Sequence, residues 1–238
     1  MRNNADTVVP PVGEMITMET KAPAQNQQEQ KILKEYFIEP VVPERKPVYS
    51  FIKRAFDIVV AMSVGLLLLI PMGIIAVMIR LDSEGPALFK QERLGKNGKA
   101  FYMYKFRSMR IDAEKNGPKW ADQNDDRCTR LGKFLRKCRL DELPQLWNIF
   151  VGHMSLVGPR PERPFFYDEF ETYIHGFRNR LAVQPGLTGL AQVNGGYDLD
   201  PEEKIVYDMR YIKERSLWMD LKIIFKTVSL IFSHEGAR

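Results

Sequence analysis

Asp141 and Glu142 are adjacent carboxylates that directly follow Arg127, Arg130, Lys133, Arg136, Lys137 and Arg139, with no acidic residue between Arg127 and Leu140. Neighbours on a helix point about 100° apart, so this pair is poorly placed to share one proton as a carboxylate dyad. An Asp at a helix start commonly caps free backbone N–H groups and meets the positive end of the dipole, and for Asp141 alone that reading stands first. The six cations beside it change the weighting. Cations and carboxylates at a helix start describe a place where phosphates and a divalent metal meet. One carboxylate would attack phosphorus, and the other would hold Mg²⁺, a hard cation that takes oxygen ligands.

Further bases fall in short motifs. Lys105 and Arg107 alternate in Lys105-Phe106-Arg107-Ser108-Met109, so strand geometry would put both on one face, as a phosphate contact or as an edge facing solvent or lipid headgroups. Arg160 sits in the stiff loop Gly158-Pro159-Arg160-Pro161-Glu162, where a guanidinium suits bidentate phosphate binding and an ion pair with Glu162 is the alternative. The loop Pro185–Gly189 either presents backbone N–H groups to a ligand or is a turn. His153, His175 and His234 show no ligand spacing. Cys128 and Cys138 lie ten apart without a CxxC, which fits reduced thiols of a cytoplasm-facing protein better than a zinc site or a disulfide.

The elements that must position these groups can be read from pattern. The chain has 238 residues, 45% hydrophobic and 27% charged, with a net charge of +5. That suits one domain with an appendage and excludes a disordered, collagen-like or disulfide-built protein. Residues 1–50 are polar, Pro-rich and slightly acidic, and read as an irregular arm with a short helix at Lys31–Ile38. Ile58–Ile79 is uncharged over 22 residues, about 33 Å as a straight helix, against a bilayer core of about 30 Å. Pro71 interrupts it, and bases flank both ends: Arg45, Lys46, Lys53 and Arg54 before, Arg80, Lys90 and Arg93 after. Basic flanks favour the cytoplasmic side, so the expectation is a helix over 51–81 that enters, kinks at Ile70-Pro71 and leaves by the same face; a full span is the alternative.

Residues 82–238 are then expected to form a cytoplasmic catalytic domain. Apolar runs around Gly95-Lys96-Asn97-Gly98 predict a β-hairpin within 81–110, and 111–126 reads as a polar loop or lid. Leu131, Phe134, Leu135 and Cys138 recur at helical spacing, and a second helix is expected to open at Asp141 with Pro144 in its first turn. Residues 200–215 and 217–233 read as closing helices. Leu217, Trp218, Leu221, Ile224 and Phe225 of the last lie beside Lys222 and Lys226, as on a membrane surface. The expected fold class is mostly α with a small β-hairpin: a monotopic membrane protein with one Pro-broken re-entrant helix and amphipathic interfacial helices.

These motifs occur in a fixed order: the Pro-broken apolar helix, Gly85-Pro86, Gln91-x-Arg93-x-Gly95, KFRSM at 105–109, LDELPQLWN at 140–148, MSLVGPRPE at 154–162 and QPGLTGLAQVNG at 184–195. Over residues 51–233 the chain resembles the bacterial sugar transferases, the monotopic phosphoglycosyl transferases, in their short catalytic-core form. The resemblance implies transfer of a sugar-1-phosphate from a UDP-sugar to undecaprenyl phosphate, with UMP released and Mg²⁺ required, on the cytoplasmic face of the bacterial inner membrane. It makes Asp141 the nucleophile of a phospho-aspartyl intermediate and Glu142 the Mg²⁺ ligand. It assigns phosphate or substrate binding to Arg160, Lys105, Arg107, Arg136 and Gln192. Two positions depart from the family pattern: His153 stands where an acidic residue is frequent, and Asn194-Gly195-Gly196 where Asn-Gly-Arg is frequent. Membrane lipid is an expected partner and nucleic acid is not; homo-oligomerisation is left open. The rival readings are a membrane-surface glycosyltransferase moving only the sugar, and a non-catalytic basic membrane scaffold.

Overall fold

Pro71 has no N–H to give to the Leu67 carbonyl, and its ring crowds that oxygen, so the apolar run cannot continue as one straight helix. In the computed structural model, which describes residues 16–20, 34–115, 117, 125–195 and 199–233, the run divides into α1 (Pro47–Leu67) and α2 (Leu69–Asp82), bent by 62°. The break lies at Leu68 and not at the expected Ile70-Pro71, because a proline disturbs the turn before it. Among the described residues no single helix is long and apolar enough to cross a membrane; only the bent pair taken together meets that test. Around the bend Leu66, Leu67 and Ile70 are 73%, 76% and 76% exposed.

The polar side of α1 turns to the protein. Lys53 pairs with Asp220 at 2.9 Å, and Arg54 donates to the carbonyls of Ile149 and Phe150 at 2.6 and 2.8 Å. Asp57, buried, accepts from the Leu156 N–H at 3.0 Å. Lys53 and Arg54 therefore dock α1, where the sequence reading counted them only as membrane-flanking charge. On the other side of the bend, Ile79 of α2 packs with Phe106 and Leu135.

The short helix expected at Lys31–Ile38 is not formed at its described end. Tyr36, Phe37 and Ile38 suit a pleated, half-buried surface, and Lys34–Ile38 is a strand, β2, antiparallel to β1 (Ile16–Thr20). Residues 1–15 and 21–33, most of the expected irregular arm, lie outside the described residues, as do 116, 118–124, 196–198 and 234–238, which take in much of the expected lid together with Gly196 and His234.

The hairpin forms where Asn97-Gly98 predicts it. β3 (Leu88–Leu94) and β4 (Ala100–Phe106) pair antiparallel across a tight turn in which Asn97 and Gly98 take positive φ, 58° and 74°. Next, α3 (Arg130–Lys137) is capped by Thr129, whose hydroxyl accepts from the Gly132 N–H at 2.9 Å. Arg139, in the left-handed region at φ 55°, reverses the chain into a 3-10 turn, Leu140–Glu142. The helix expected to open at Asp141 begins only afterwards, as α4 (Gln145–Val151), with Pro144 as its cap.

β5 (Ser155–Val157), α5 (Pro164–Glu171) and β6 (Ile174–His175) follow, with β6 adding to β2 in parallel. A 3-10 segment, Phe177–Ala182, leads to β7 (Gly186–Thr188), which pairs parallel with β5, Ser155 facing Gly186 and Val157 facing Thr188. α6 (Leu190–Asn194), α7 (Pro201–Glu214) and α8 (Leu217–Ser233) complete a mostly helical chain with a few short strands. The core gathers Ile149, Met154, Tyr167, Ile174, Phe177, Ile205, Met209 and Ile212 between α4, α5 and α7.

Candidate active site

A cavity of about 570 Å³ opens between the end of the hairpin, the α3–α4 junction and the loops around Arg160 and Gln192. Lys105, Arg107, Arg136, Asp141, Glu142, Arg160 and Gln192, the set that the resemblance assigned, line it; of the six bases before Asp141, Arg127, Arg136 and Arg139 line it and Arg130, Lys133 and Lys137 do not. The assigned residues come from 88 positions of chain and meet because of two local devices.

The first is the 3-10 turn, which buries Asp141 at 7% exposure and directs Glu142 to the bases. Glu142 Oε1 accepts from Lys105 Nζ at 3.0 Å and from Arg160 Nη2 at 2.5 Å. The second is a close crossing of the two Gly/Pro loops. Gly158 N–H donates to the Thr188 carbonyl and Gly186 N–H to the Pro159 carbonyl, both at 2.9 Å. A Cβ on Gly158 would stand 2.3 Å from the Gln184 oxygen, and one on Gly189 would stand 2.2 Å from the Gly158 oxygen. Only glycine permits that approach, and it sets Arg160 and Gln192 into one wall.

One predicted grouping changes. Glu162, the alternative partner for Arg160, pairs instead with Arg93 at 3.1 Å. Lys105 and Arg107 both line the cavity, and their side chains take different partners, Lys105 meeting Glu142. The Arg107 guanidinium reaches the carbonyls of Ile79, in the last turn of α2, and of Ser83 and Glu84 just beyond it. Arg107 thus ties the hairpin to the apolar helix pair at the cavity edge. Arg136 donates to Cys128 Sγ at 3.0 Å, and Gln192 Nε2 donates to the Leu187 carbonyl at 2.8 Å.

The two carboxylates are driven apart electrostatically. Burial pushes Asp141 up to about 6, against the pull of Lys105 and with a push from Glu142. Burial also opposes ionisation of Glu142, but Arg160 and Lys105 outweigh it and hold that carboxyl well below the usual range. Glu142 is therefore fixed as an anion. Asp141, which the sequence alone would place at an ordinary value, is more readily protonated and less well solvated.

Magnesium binds through one or two carboxylates and takes its other ligands from phosphates and water. No cluster of three or more carboxylate, His or Cys groups stands among the described residues. The donor set is Asp141 and Glu142 on one wall of a cavity roomy enough for a diphosphate, and it fits a magnesium shared with a substrate.

Sequence reasoning missed several lining residues. Arg93, within a noted motif, donates to the Pro161 carbonyl and to Glu162, and so braces the Arg160 loop. Arg163 pairs with Glu114 at 2.8 Å. Arg180, 2% exposed, pairs with Asp208 of α7; nothing local marks an arginine of this 3-10 segment as buried.

Fold and cavity together describe a mostly helical protein with an exposed, bent apolar helix pair and a carboxylate site set among bases. Residues 48–234 match the bacterial sugar transferase family, and the chain belongs to it. It is 46% identical over 196 residues to a UDP-N-acetylgalactosamine-undecaprenyl-phosphate N-acetylgalactosaminephosphotransferase of Aeromonas hydrophila, covering 81% of this chain and 46% of that protein. It is 41% identical over 207 residues to a UDP-glucose:undecaprenyl-phosphate glucose-1-phosphate transferase of Escherichia coli, covering 83% of this chain and 45% of that one. A putative undecaprenyl-phosphate N-acetylgalactosaminyl 1-phosphate transferase of Bacillus subtilis is 50% identical over 139 residues, 58% of this chain and 77% of that protein. The chain spans less than half the length of the first two relatives.

Proposed function

We propose that this chain transfers a sugar-1-phosphate from a UDP-sugar to undecaprenyl phosphate and releases UMP. The observation that carries the reading is the buried Asp141 beside a Glu142 held ionised by Lys105 and Arg160, in a chain whose relatives bear the names of such transferases. Ionised Asp141 attacks the phosphorus that carries the sugar. An Asp–O–P bond forms, the P–O bond to the other phosphorus breaks, and its electron pair leaves on UMP. The phosphate of undecaprenyl phosphate then attacks the same phosphorus, forming the lipid diphosphate sugar and freeing Asp141. Lys105 and Arg160 are placed to offset the diphosphate charge that would repel a carboxylate nucleophile. When bound, magnesium supplies further charge neutralisation at the phosphates, with Glu142 as its protein ligand.

A covalent intermediate lets a soluble donor and a membrane-bound acceptor use one site in turn. In this reading the α1–α2 bend enters the inner membrane from its cytoplasmic face and leaves by the same side. Trp147 and Phe150 of α4 and Trp218 and Phe225 of α8, all exposed, lie at the headgroups, and Lys222 sits 5.3 Å from the Trp218 ring. Cysteines placed at positions 48 and 84 in intact cells should both be shielded from an impermeant reagent; labelling of position 48 alone would establish a full span.

The activity is tested by incubating the purified protein with Mg²⁺, undecaprenyl phosphate and a panel of UDP-sugars. UMP should appear with one or more donors, and Asp141→Asn should abolish it. Release of UDP would refute phosphosugar transfer and favour a glycosyltransferase that moves only the sugar.

A further inference from the structure

One wall of the cavity is apolar. Pro86, Leu88, Phe89, Met109 and Ile111 line it beside the bases and carboxylates, and Leu88, Phe89 and Ile111 are exposed, Ile111 at 69%. Phosphates and sugar hydroxyls gain nothing from such a wall, whereas a hydrocarbon chain does. At its inner end Phe89 lies opposite Lys105 in the hairpin register, so the ring and the ammonium group that meets Glu142 stand on one face. At its outer end Ile111 packs on Gly85, just beyond α2. A Cβ there would stand 2.5 Å from Ile111 Cδ1, and the φ of 112° favours glycine as well. On α2 itself Ile70, Ile74, Val77 and Leu81, all exposed, recur at helical spacing and carry an apolar stripe into the last turn. Apolar surface therefore leads from the helix pair, past Gly85 and Ile111, to Phe89 beside the catalytic cluster.

We propose that this wall, from Ile111 to Phe89, holds the isoprene units nearest the phosphate of the polyprenyl acceptor and guides that phosphate to Lys105. The inference rests on the transfer reading above and deepens it, by giving the acceptor's hydrocarbon a place of its own. An isoprenoid phosphate has the complementary pattern: a charged head for the bases, followed directly by a branched apolar chain for the wall. Entry beside the end of α2 lets the rest of the chain stay in lipid while the head reaches the cavity.

Steady-state UMP release by the full chain in mixed micelles tests this, with undecaprenyl phosphate varied as a mole fraction and a UDP-sugar that supports release varied in turn. In a two-step transfer, kcat/KM for each substrate reports its own half of the reaction. Ile111→Ser and Phe89→Ser should each lower kcat/KM for undecaprenyl phosphate about tenfold, the factor expected from losing a half-exposed side chain's cover of hydrocarbon. Both should leave kcat/KM for the donor unchanged, and Ile111→Leu, which keeps the apolar contact, should retain the acceptor value. An unchanged acceptor value in both serine variants overturns the apolar track alone. So does an equal fall for both substrates, or a fall for the donor only, which would make the wall a surface for the nucleotide. Failure of the unaltered protein to release UMP from any UDP-sugar would overturn the transfer reading and this one together.

Discussion

Asn148, fully buried in α4, replaces a missing strand. Its Nδ2 donates to the Tyr102 carbonyl at 2.7 Å and its Oδ1 accepts from the Tyr104 N–H at 3.0 Å, so one amide satisfies the edge of β4 that β3 does not cover. Asn148→Leu keeps the volume and removes both bonds. It leaves one N–H and one C=O of a part-buried strand edge without partners, each costing about 1–3 kcal/mol, for a total of roughly 2–6 kcal/mol. For a chain of this size, 1 kcal/mol moves the unfolding midpoint by about 2–4 °C, so a fall of about 4–24 °C is expected. The same bonds fix the strand that carries Lys105 relative to the turn that carries Glu142. UMP release should therefore fall more than KM for the donor rises. Thermal unfolding in nanodiscs and steady-state UMP release measure the two effects. A midpoint within 2 °C of the unaltered protein would refute the claim that Asn148 is the partner of that edge.

Two further outcomes follow from particular contacts. Gly132→Ala should lower the unfolding midpoint, although alanine ordinarily gains about 1 kcal/mol over glycine inside a helix, because its Cβ would stand 1.9 Å from the Ser108 oxygen; a raised midpoint in thermal unfolding would contradict that crowding. The hydrogen bonds from Arg127 hold Asp125 down at about 2, so this carboxylate contributes stability above its ordinary pKa and loses it as pH falls through about 2. Asp125→Asn should therefore be less stable than the parent from pH 5 upward in denaturant titrations, with the gap closing between pH 4 and 2.

Much of the molecule was legible because it is written in short-range chemistry. Asn97-Gly98 sets the hairpin turn, the spacing of Leu131, Phe134 and Leu135 sets α3, and Pro71 breaks the apolar run. Each acts within a few residues of itself. The membership of the cavity was also legible, because its residues fall in motifs that keep their order along the chain. What failed to show depends on partners far away. Lys34–Ile38 is a strand because β6, more than 130 residues later, offers it an edge. Nothing in its motif shows that Arg107, besides lining the cavity, meets the Ser83 carbonyl just beyond α2.

The sequence by itself therefore determined the family, the bent apolar helix and the Asp141-Glu142 pair among bases, since residue types and local spacing suffice for those. The tertiary structure alone decided which cation serves which anion. It gave Arg160 and Lys105 to Glu142, Arg93 to Glu162, Lys53 to Asp220 and Arg180 to Asp208. The reason is physical. Charge is a property of a side chain, but pairing and burial are properties of position, and it is burial that raises Asp141 while its neighbours hold Glu142 ionised.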